Sequence, residues 1–246
     1  MKAIILAAGK GTRMRPLTDN CPKQMVQVAG RPLLEHIIER LPHEVDELIL
    51  IIGYCGDMIR KHCGVNFLGR RMHYVEQKEQ KGPYHALALA RDFIREGEQF
   101  FVMYGDDIHG AEGFHECLKY PRAVLVDEVE DPRPYGVVET DTSNIITNIV
   151  EKPAVPKSNL VSSGVFLLDD KIFHFPPDLH PEKKEYFLAD AVGAMIHHYP
   201  CIAVRSSFWL PVTTPQHVAQ AEYVVSNAFS ALKRRRGILG DIPWQF

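Results

Sequence analysis

The sequence lacks both a long hydrophobic segment and an excess of positive charge. Its apolar runs, such as residues 48–52, are far too short to span a bilayer, and no signal-peptide pattern precedes the first apolar stretch. The formal net charge of −3 argues against a general surface for nucleic acid or for anionic membranes. We therefore expect a cytoplasmic protein with neither nucleic acid nor a membrane as its partner, and the sequence leaves a homo-oligomer open.

Cysteine is scarce, and internal repeats and low-complexity linkers are missing. The five cysteines are odd in number and scattered, without the paired spacing of a zinc site or a disulfide framework. We interpret them as reduced thiols, which agrees with a cytoplasmic location. Hydrophobic residues make up 46% of the chain, which is ample for a buried core.

Residues 1–107 alternate between short apolar runs and helical patterns. After a first strand near the N-terminus, the runs predict strands at residues 48–52, 73–77 and 100–104. Helical spacing predicts three helices: one starts at Pro32, and the other two cover residues 57–63 and 84–95. This alternation favours a doubly wound, mostly parallel, Rossmann-like sheet of the α/β class. Ligands of such sheets bind beyond the carboxyl ends of the strands, where residues 6–13, 77–82 and 105–107 are expected to converge.

From about residue 120 the pattern changes to short strands and turns. Strands are predicted at residues 123–129, 136–140, 145–151, 163–168 and 201–206, and helices at about 185–198 and 215–235. The basic run at residues 233–236 suits the C-terminus of the last helix better than a nucleic-acid patch. We predict one domain, residues 1–246, with a first half to residue 120 and a β-rich second half, residues 121–246, that includes this helix.

The clearest motif is a glycine-containing loop directly after the first predicted strand. Small side chains let a ligand approach the backbone, so that successive N–H groups can form an anion-binding concavity. The small residues are Ala7, Ala8, Gly9 and Gly11. The cations around them are Lys10, Arg13, Arg15 and Lys23. Neither the dinucleotide fingerprint nor the P-loop fits this loop, so a different phosphate site is needed.

The whole opening string reads Leu6-Ala7-Ala8-Gly9-Lys10-Gly11-Thr12-Arg13, followed by Pro16-Leu17-Thr18 and Pro22-Lys23. It resembles the opening of the sugar-1-phosphate nucleotidyltransferases, which join a sugar phosphate to a nucleoside triphosphate and release pyrophosphate. The resemblance covers roughly residues 1–225. It implies that Arg13 and the backbone of residues 8–13 hold the triphosphate, and that Lys23 bridges the phosphates of both substrates.

By this resemblance, Gln24 touches the ribose, while Gln77 and Gly82 form the pair that reads the base. An amide offers both a donor and an acceptor to a pyrimidine edge, and UTP or dTTP is favoured. Pro83 and Tyr84 depart from the Thr-Ala or Leu-Ala of many relatives. The implied nucleotide-binding residues are Leu6, Ala8, Gly9, Gly11, Thr12, Arg13, Gln24, Gln77 and Gly82.

Asp106 corresponds to the magnesium aspartate of the family. A carboxylate is the hard oxygen ligand that Mg²⁺ prefers, and the ion would neutralise charge on the phosphates. We interpret Asp107 as a neighbour rather than a ligand. The implied catalytic residues are therefore Arg13, Lys23 and Asp106, because cations must offset the repulsion between two phosphates and hold them in line.

Motifs in the second half resemble the sugar site of the family. Glu151 is expected to accept sugar hydroxyls, Lys152 to bind the sugar phosphate, and the Gly136 backbone to lie against the sugar ring. Asn159 follows in the expected order and completes the implied sugar-phosphate site.

The pattern breaks at the second metal aspartate of the family. The segment Trp209-Leu210-Pro211-Val212-Thr213 has proline where the aspartate usually stands. Three explanations of the missing aspartate stay open. Asp106 can hold Mg²⁺ together with phosphates and water, or Asp190 can reach into the site as another carboxylate. Alternatively, the chain binds a nucleotide or a sugar nucleotide without efficient turnover.

The expected function is transfer of a uridylyl or thymidylyl group to a hexose 1-phosphate with the help of Mg²⁺. Two alternatives stay open. One is a nucleotide-binding or nucleotide-sugar-binding homologue with impaired catalysis, because Pro211 cannot coordinate a metal. The other is cytidylyl transfer to a phosphorylated amino alcohol, because that branch shares the opening loop.

Overall fold

The structure of the protein is a computed structural model that describes residues 1–236, and the side chains of residues 1–227. Its strands in chain order are β1 (Lys2–Ala7), β2 (Gln27–Val28), β3 (Arg31–Pro32), β4 (Glu47–Ile52), β5 (Asn66–Phe67), β6 (Arg70–Glu76), β7 (Phe100–Tyr104), β8 (Asp107–His109), β9 (Ala123–Glu128), β10 (Gly136–Thr140), β11 (Ile146–Glu151), β12 (Leu160–Leu168), β13 (Ile202–Arg205) and β14 (Trp209–Pro211). Its helices are α1 (Leu33–Ile38), α2 (Gly56–Cys63), α3 (Pro83–Ala88), α4 (Ala111–Cys117), α5 (Leu188–Met195) and α6 (Pro215–Arg236). None of these helices is long and apolar enough to cross a membrane. Residues 237–246 of the predicted second half, and the side chains of the basic run at 233–236, lie outside the described residues.

One mixed sheet of ten strands runs through both predicted halves of the described chain. Its order is β11-β10-β12-β7-β1-β4-β6-β5, and β9 pairs with both β12 and β13. The neighbours β6, β4, β1 and β7 are parallel, whereas β12 joins β7 in the antiparallel direction. The predicted α/β class with a doubly wound, mostly parallel sheet is confirmed. The small antiparallel sheets β2-β3 and β8-β14 are additions to it.

Helices cover both faces of this sheet. In β1, Ala3 and Ile5 belong to a buried cluster with α1 and α6, while Ile4 belongs to a second cluster with α3 and α5. All five apolar residues that end β4 are buried, as a strand covered on both faces requires. Burying one such side chain fully stabilises the fold by about 1.5–3 kcal/mol. The apolar runs that predict the strands are therefore also the core of the fold.

The order in which strands are added to the sheet reverses at β1. The chain adds β4 and then β6 on one side of β1, and it returns to place β7 on the other side. Leu6 and Tyr104, near the ends of β1 and β7, are partners in register. Sheets of this kind bind ligands at such a switch point, beyond the carboxyl ends of the strands.

Two predicted helices have different limits in the structure. The helix predicted at residues 84–95 ends at Ala88, and a separate 3₁₀ turn, Arg91–Phe93, follows it. Apolar residues three apart suit either kind of helix, so their spacing does not locate the break. The helix predicted from residue 185 begins at Leu188, because the Tyr186 N–H donates to the Lys81 carbonyl instead of joining a helix (2.8 Å).

Several short elements, among them β8, α4 and β14, have no counterpart in the sequence prediction. The two strands have three residues each, too few for an alternating pattern to be recognised. Helix α4 contains Gly113, which lowers helix propensity. A Cβ at Gly113 would lie 3.1 Å from Leu125 Cδ2, so glycine lets α4 approach β9 closely. Tertiary packing, rather than local preference, places this helix.

Thiol labelling tests the packing of the core. Burial raises the pKa of both Cys63 and Cys201 to about 12, and it raises the pKa of Cys117 as well. Cys21 and Cys55 are partly exposed. Because the thiolate is the reactive form, the native protein is expected to react with a thiol reagent at Cys21 and Cys55 only. All five cysteines should react after denaturation, and rapid labelling of more than two in the native state would contradict this packing.

Candidate active site

A cleft of about 530 Å³ opens beyond the carboxyl ends of β1 and β7, at the switch point of the sheet. It brings together residues from both predicted halves. The predicted site residues that line it are Leu6, Gly9, Gly11, Thr12, Arg13, Lys23, Gln24, Asp106, Gly136, Glu151 and Lys152. Of the three segments expected to converge, residues 6–13 and 105–107 do meet in the cleft.

The glycine loop is shaped by one tight turn. Gly11 has a positive φ of 60° and precedes a 3₁₀ turn, Thr12–Met14. The Thr18 hydroxyl donates to the Gly11 carbonyl (2.7 Å), which ties the loop to the chain that follows. A Cβ built on Gly9 would meet no atom within 4 Å, so the backbone is open to a ligand here. This is the open backbone that an anion-binding loop needs.

Lys23 and Asp106 form an ion pair in the cleft. Lys23 follows Pro22 in a 3₁₀ turn and is only 7% exposed. Asp106 follows β7, at the turn that leads into β8. Because both groups are largely removed from water, their attraction is stronger than that of a surface pair, and the ammonium is held at a fixed position in the cleft.

Asp107 lies beside this pair on β8. It is 6% exposed, and Trp209 Nε1 donates to its Oδ2 (3.1 Å). Burial raises the pKa of Asp107 well above its usual range, and the charge of Asp106 acts in the same direction. Strand β14 pairs with β8 so that Pro211 stands directly opposite Asp107. Asp190, considered for this region from sequence, lies against the Glu151 backbone and does not line the cleft.

The opposite wall of the cleft comes from β10 and β11. Gly136 and Glu151 are register partners, and a Cβ on Gly136 would lie 3.2 Å from Glu151 Oε2. Lys152 Nζ pairs with Glu151 Oε1 (2.8 Å) and lies 5.1 Å from the centre of the Phe187 ring. Burial raises the pKa of Glu151, and the neighbouring Lys152 opposes this shift. This wall therefore offers one carboxylate and one ammonium side by side.

Four predicted site residues lie outside the cleft lining. The Ala8 carbonyl accepts hydrogen bonds from the Gln80 side chain (2.8 Å) and from the Tyr54 N–H (3.3 Å). Gln77 is buried, and its Nε2 donates to the Gly82 carbonyl (3.2 Å). Asn159 is exposed, and its carbonyl accepts from the Val129 N–H (3.1 Å). The fourth is Gly82 itself, whose neighbour Pro83 does line the cleft.

The Lys81–Tyr84 segment is bound to Tyr186 by two backbone hydrogen bonds, which we call the Tyr186 bridge. The Tyr186 N–H donates to the Lys81 carbonyl (2.8 Å), and the Tyr84 N–H donates to the Tyr186 carbonyl (3.0 Å). A Cβ on Gly82 would lie 2.7 Å from the Tyr186 oxygen and 2.8 Å from its nitrogen. The bridge therefore requires glycine at position 82. By fixing Tyr186, it also places the neighbouring Glu185 and Phe187 in the cleft lining.

Gly82→Ala is therefore expected to be strongly destabilising. Its backbone, at φ 95° and ψ 176°, lies in a region that only glycine adopts readily. That strain alone costs about 1–3 kcal/mol, and the overlap with Tyr186 adds to it. Gly69→Ala is the matched control, because Gly69 also has a positive φ (76°) but a Cβ there meets no atom within 4 Å. Urea unfolding measures both variants, and equal losses of unfolding free energy would contradict the bridge.

Sequence reasoning missed several residues of the cleft. Glu185 and Phe187 were assigned to a helix, because the apolar pattern of α5 continues back through Phe187 and Tyr186. Tyr104 ends β7 and packs so closely on Gly164 that a Cβ there would lie 2.5 Å from Tyr104 Cδ2. The positive φ of Gly164 (88°) allows this contact, and the glycine within an apolar strand was the available signal.

Comparisons with known proteins agree with this architecture. A family model described as nucleotidyl transferase matches residues 2–227. The bifunctional protein GlmU of Methanocaldococcus jannaschii is 38% identical over 227 residues, which cover 90% of this chain and 53% of the relative. The chain thus spans little more than half the length of that relative.

Two further matches extend over nearly the whole of the similar protein. The UTP–glucose-1-phosphate uridylyltransferase AglF of Haloferax volcanii is 37% identical over 234 residues, 90% of this chain and 95% of the relative. Among solved structures, a putative glucose-1-phosphate thymidylyltransferase of Bacillus anthracis in complex with sucrose superposes with a TM-score of 0.82 at 25% identity. That match covers 91% of this chain and 94% of the other.

Proposed function

The chain belongs to the nucleotidyl transferase family, and on this premise we propose that it joins a nucleoside triphosphate to a sugar 1-phosphate and releases pyrophosphate. One observation carries the proposal. The glycine loop with the Lys23–Asp106 pair and the Glu151–Lys152 pair line opposite walls of one cleft. A transferase of this kind needs both walls, because each substrate brings its own phosphate to the reaction.

The triphosphate would lie on the first wall. The open backbone at Gly9 and the neighbouring backbone of the loop would donate to phosphate oxygens, with Arg13 beside them. Lys23 would stand between the α-phosphate and the sugar phosphate that attacks it. Cations held in place before the reaction cost no reorganisation as charge develops, so this electrostatic contribution is the main one in phosphoryl and nucleotidyl transfer.

The sugar phosphate would lie on the second wall. Glu151 would accept hydrogen bonds from sugar hydroxyls, and Lys152 would bind the phosphate as a point charge. The Gly136 backbone, which lines the cleft, would lie against the sugar ring. Asn159, which is exposed and outside the cleft, keeps its proposed role only if that loop closes on the ligand.

The donor set of the cleft fits a divalent cation of the magnesium type. Asp106 provides a carboxylate oxygen, and phosphate oxygens and water would complete a coordination shell of hard ligands. Such an ion supplies neutralisation of the charge on the phosphates. Asp106 would hold it while Lys23 orients the carboxylate.

Uracil or thymine is the base that we propose. The amide nitrogen of Gln77 is already engaged by the Gly82 carbonyl, which leaves the amide oxygen to accept a hydrogen bond. Uracil and thymine offer a donor at N3, whereas cytosine offers an acceptor there. The activity named for AglF, with UTP and glucose 1-phosphate, supports the same choice, and Gln24 would contact the ribose.

Pyrophosphate release from a panel of substrate pairs tests the proposal. UTP and dTTP with glucose 1-phosphate are expected to release pyrophosphate, and CTP with phosphocholine is not. Release with CTP and phosphocholine alone would favour cytidylyl transfer to an amino alcohol. Triphosphate binding without release from any pair would favour the homologue with impaired catalysis, and recovery of release in Pro211→Asp would assign the cause.

A further inference from the structure

The environment of Asp107 is unusual for a carboxylate of the cleft. The side chain is more than nine-tenths buried and still contributes to the lining. In the described part of the chain, the nearby ammonium of Lys23 pairs with Asp106, and no cationic nitrogen forms an ion pair with Asp107. Its side-chain partner is the neutral indole of Trp209, and the Val212 backbone also acts on it as a hydrogen-bond donor. Neutral donors alone do not give a buried carboxylate the compensation that buried charges normally have.

The neighbouring carboxylate makes this deficit larger. Asp106 and Asp107 are adjacent and both line the cleft. The ammonium of Lys23 pairs with Asp106, so there is one paired cation for two carboxylates. The Oε1 of Gln24, in the same cleft, is buried and accepts no hydrogen bond. The amide oxygen lacks a donor or cation and the Asp107 carboxylate lacks a paired cation, so a bound cation would complete this part of the cleft.

The strand pairing explains how Pro211 is tolerated. Antiparallel partners stand opposite each other on β8 and β14, and Pro211 is the partner of Asp107. A carboxylate at either position of this pair would therefore reach the same end of the cleft. Proline at the last residue of an edge strand is acceptable because its missing N–H removes no central ladder bond.

We propose that Asp107 is the second carboxylate ligand of the divalent cation, in place of a carboxylate at position 211. This proposal differs from the sequence interpretation, in which Asp107 is a neighbour rather than a ligand. The inference deepens the proposed function, on which it rests for the identity of the ligand as a Mg²⁺-type ion. It makes Pro211 compatible with turnover, because the adjacent residues Asp106 and Asp107 keep two carboxylates in the cleft.

Mn²⁺ binding, followed by the electron paramagnetic resonance signal of the free ion, tests this inference without turnover. Asp107→Asn should weaken Mn²⁺ binding by about tenfold or more. Adding Pro211→Asp to that variant should restore most of the affinity, because it returns a carboxylate to the opposite strand. Asp57→Asn, which removes a carboxylate that is fully exposed on α2, is the control and should bind Mn²⁺ as the unmodified protein does.

A merely structural role for Asp107 gives a different result. Trp209→Phe removes the indole N–H but keeps the carboxylate, so it should affect Mn²⁺ binding far less than Asp107→Asn. Equal effects of these two variants, or unchanged binding in Asp107→Asn, would overturn the inference. Because Mn²⁺ binding is measured without substrates, either result leaves pyrophosphate release as an independent test of the proposed function.

Discussion

Lys23→Met is expected to lower kcat for pyrophosphate release by about 10³-fold. The methionine keeps the apolar stem and most of the volume of the lysine, so the buried turn at residues 23–25 should fold as before. The ammonium that stands beside Asp106 is lost, and with it the charge that would offset two phosphates. Steady-state rates with UTP and glucose 1-phosphate measure the loss.

Lys119→Met is the matched control for this variant. Lys119 also pairs with a carboxylate, Glu116, but both side chains are exposed on the surface. Exposed pairs of this kind contribute about 0–1 kcal/mol to stability, and neither residue of this pair lines the cleft. The control should therefore keep its rate. A Lys23→Met enzyme with the same kcat as Lys119→Met would exclude Lys23 from catalysis.

Asp106→Asn is expected to lower kcat by about 10²–10³-fold and to weaken the dependence of the rate on Mg²⁺. The amide can still accept a hydrogen bond from Lys23, so the fold around the pair should persist. The variant loses the negative charge of the carboxylate, and Mg²⁺, as a hard cation, binds a neutral amide more weakly than a carboxylate. Rates measured across a Mg²⁺ titration separate a loss of metal affinity from a loss of kcat at saturation.

Asp57→Asn serves as the control because Asp57 is fully exposed on α2. It should change neither the rate nor the Mg²⁺ dependence.

The double variant Lys23→Met with Asp106→Asn tests whether the two residues share one role. Because the two groups act as a pair, their losses should combine to much less than the product of the single losses. Strictly multiplicative losses would contradict a shared role.

The architecture of the first half follows from short-range patterns. Uninterrupted apolar runs, such as that of β4, occur where helices cover both faces of a parallel sheet, and this is what the structure contains. Elements set by packing alone were not predicted. Helix α4 has a glycine that local preference disfavours, and β8 and β14 are too short to show a period.

The first wall of the cleft follows from sequence more fully than the second. The glycine loop and Asp106 stand directly after strands, and strand ends meet at one edge of the sheet. Glu185 and Phe187 reach the cleft through the Tyr186 bridge, which joins segments about a hundred residues apart and has no local signature. Gln77 could be placed at a strand end, but its hydrogen bond to Gly82 could not.

Formation of the nucleotide sugar, followed by ³¹P NMR, tests the central claim most directly. With UTP, glucose 1-phosphate and Mg²⁺, the protein should produce a diphosphate diester and pyrophosphate in equal amounts, and Lys23→Met should produce neither at a comparable rate. The account would be contradicted if the protein binds the nucleotide but the signals of the triphosphate and of the sugar phosphate stay unchanged, with UTP and with dTTP alike.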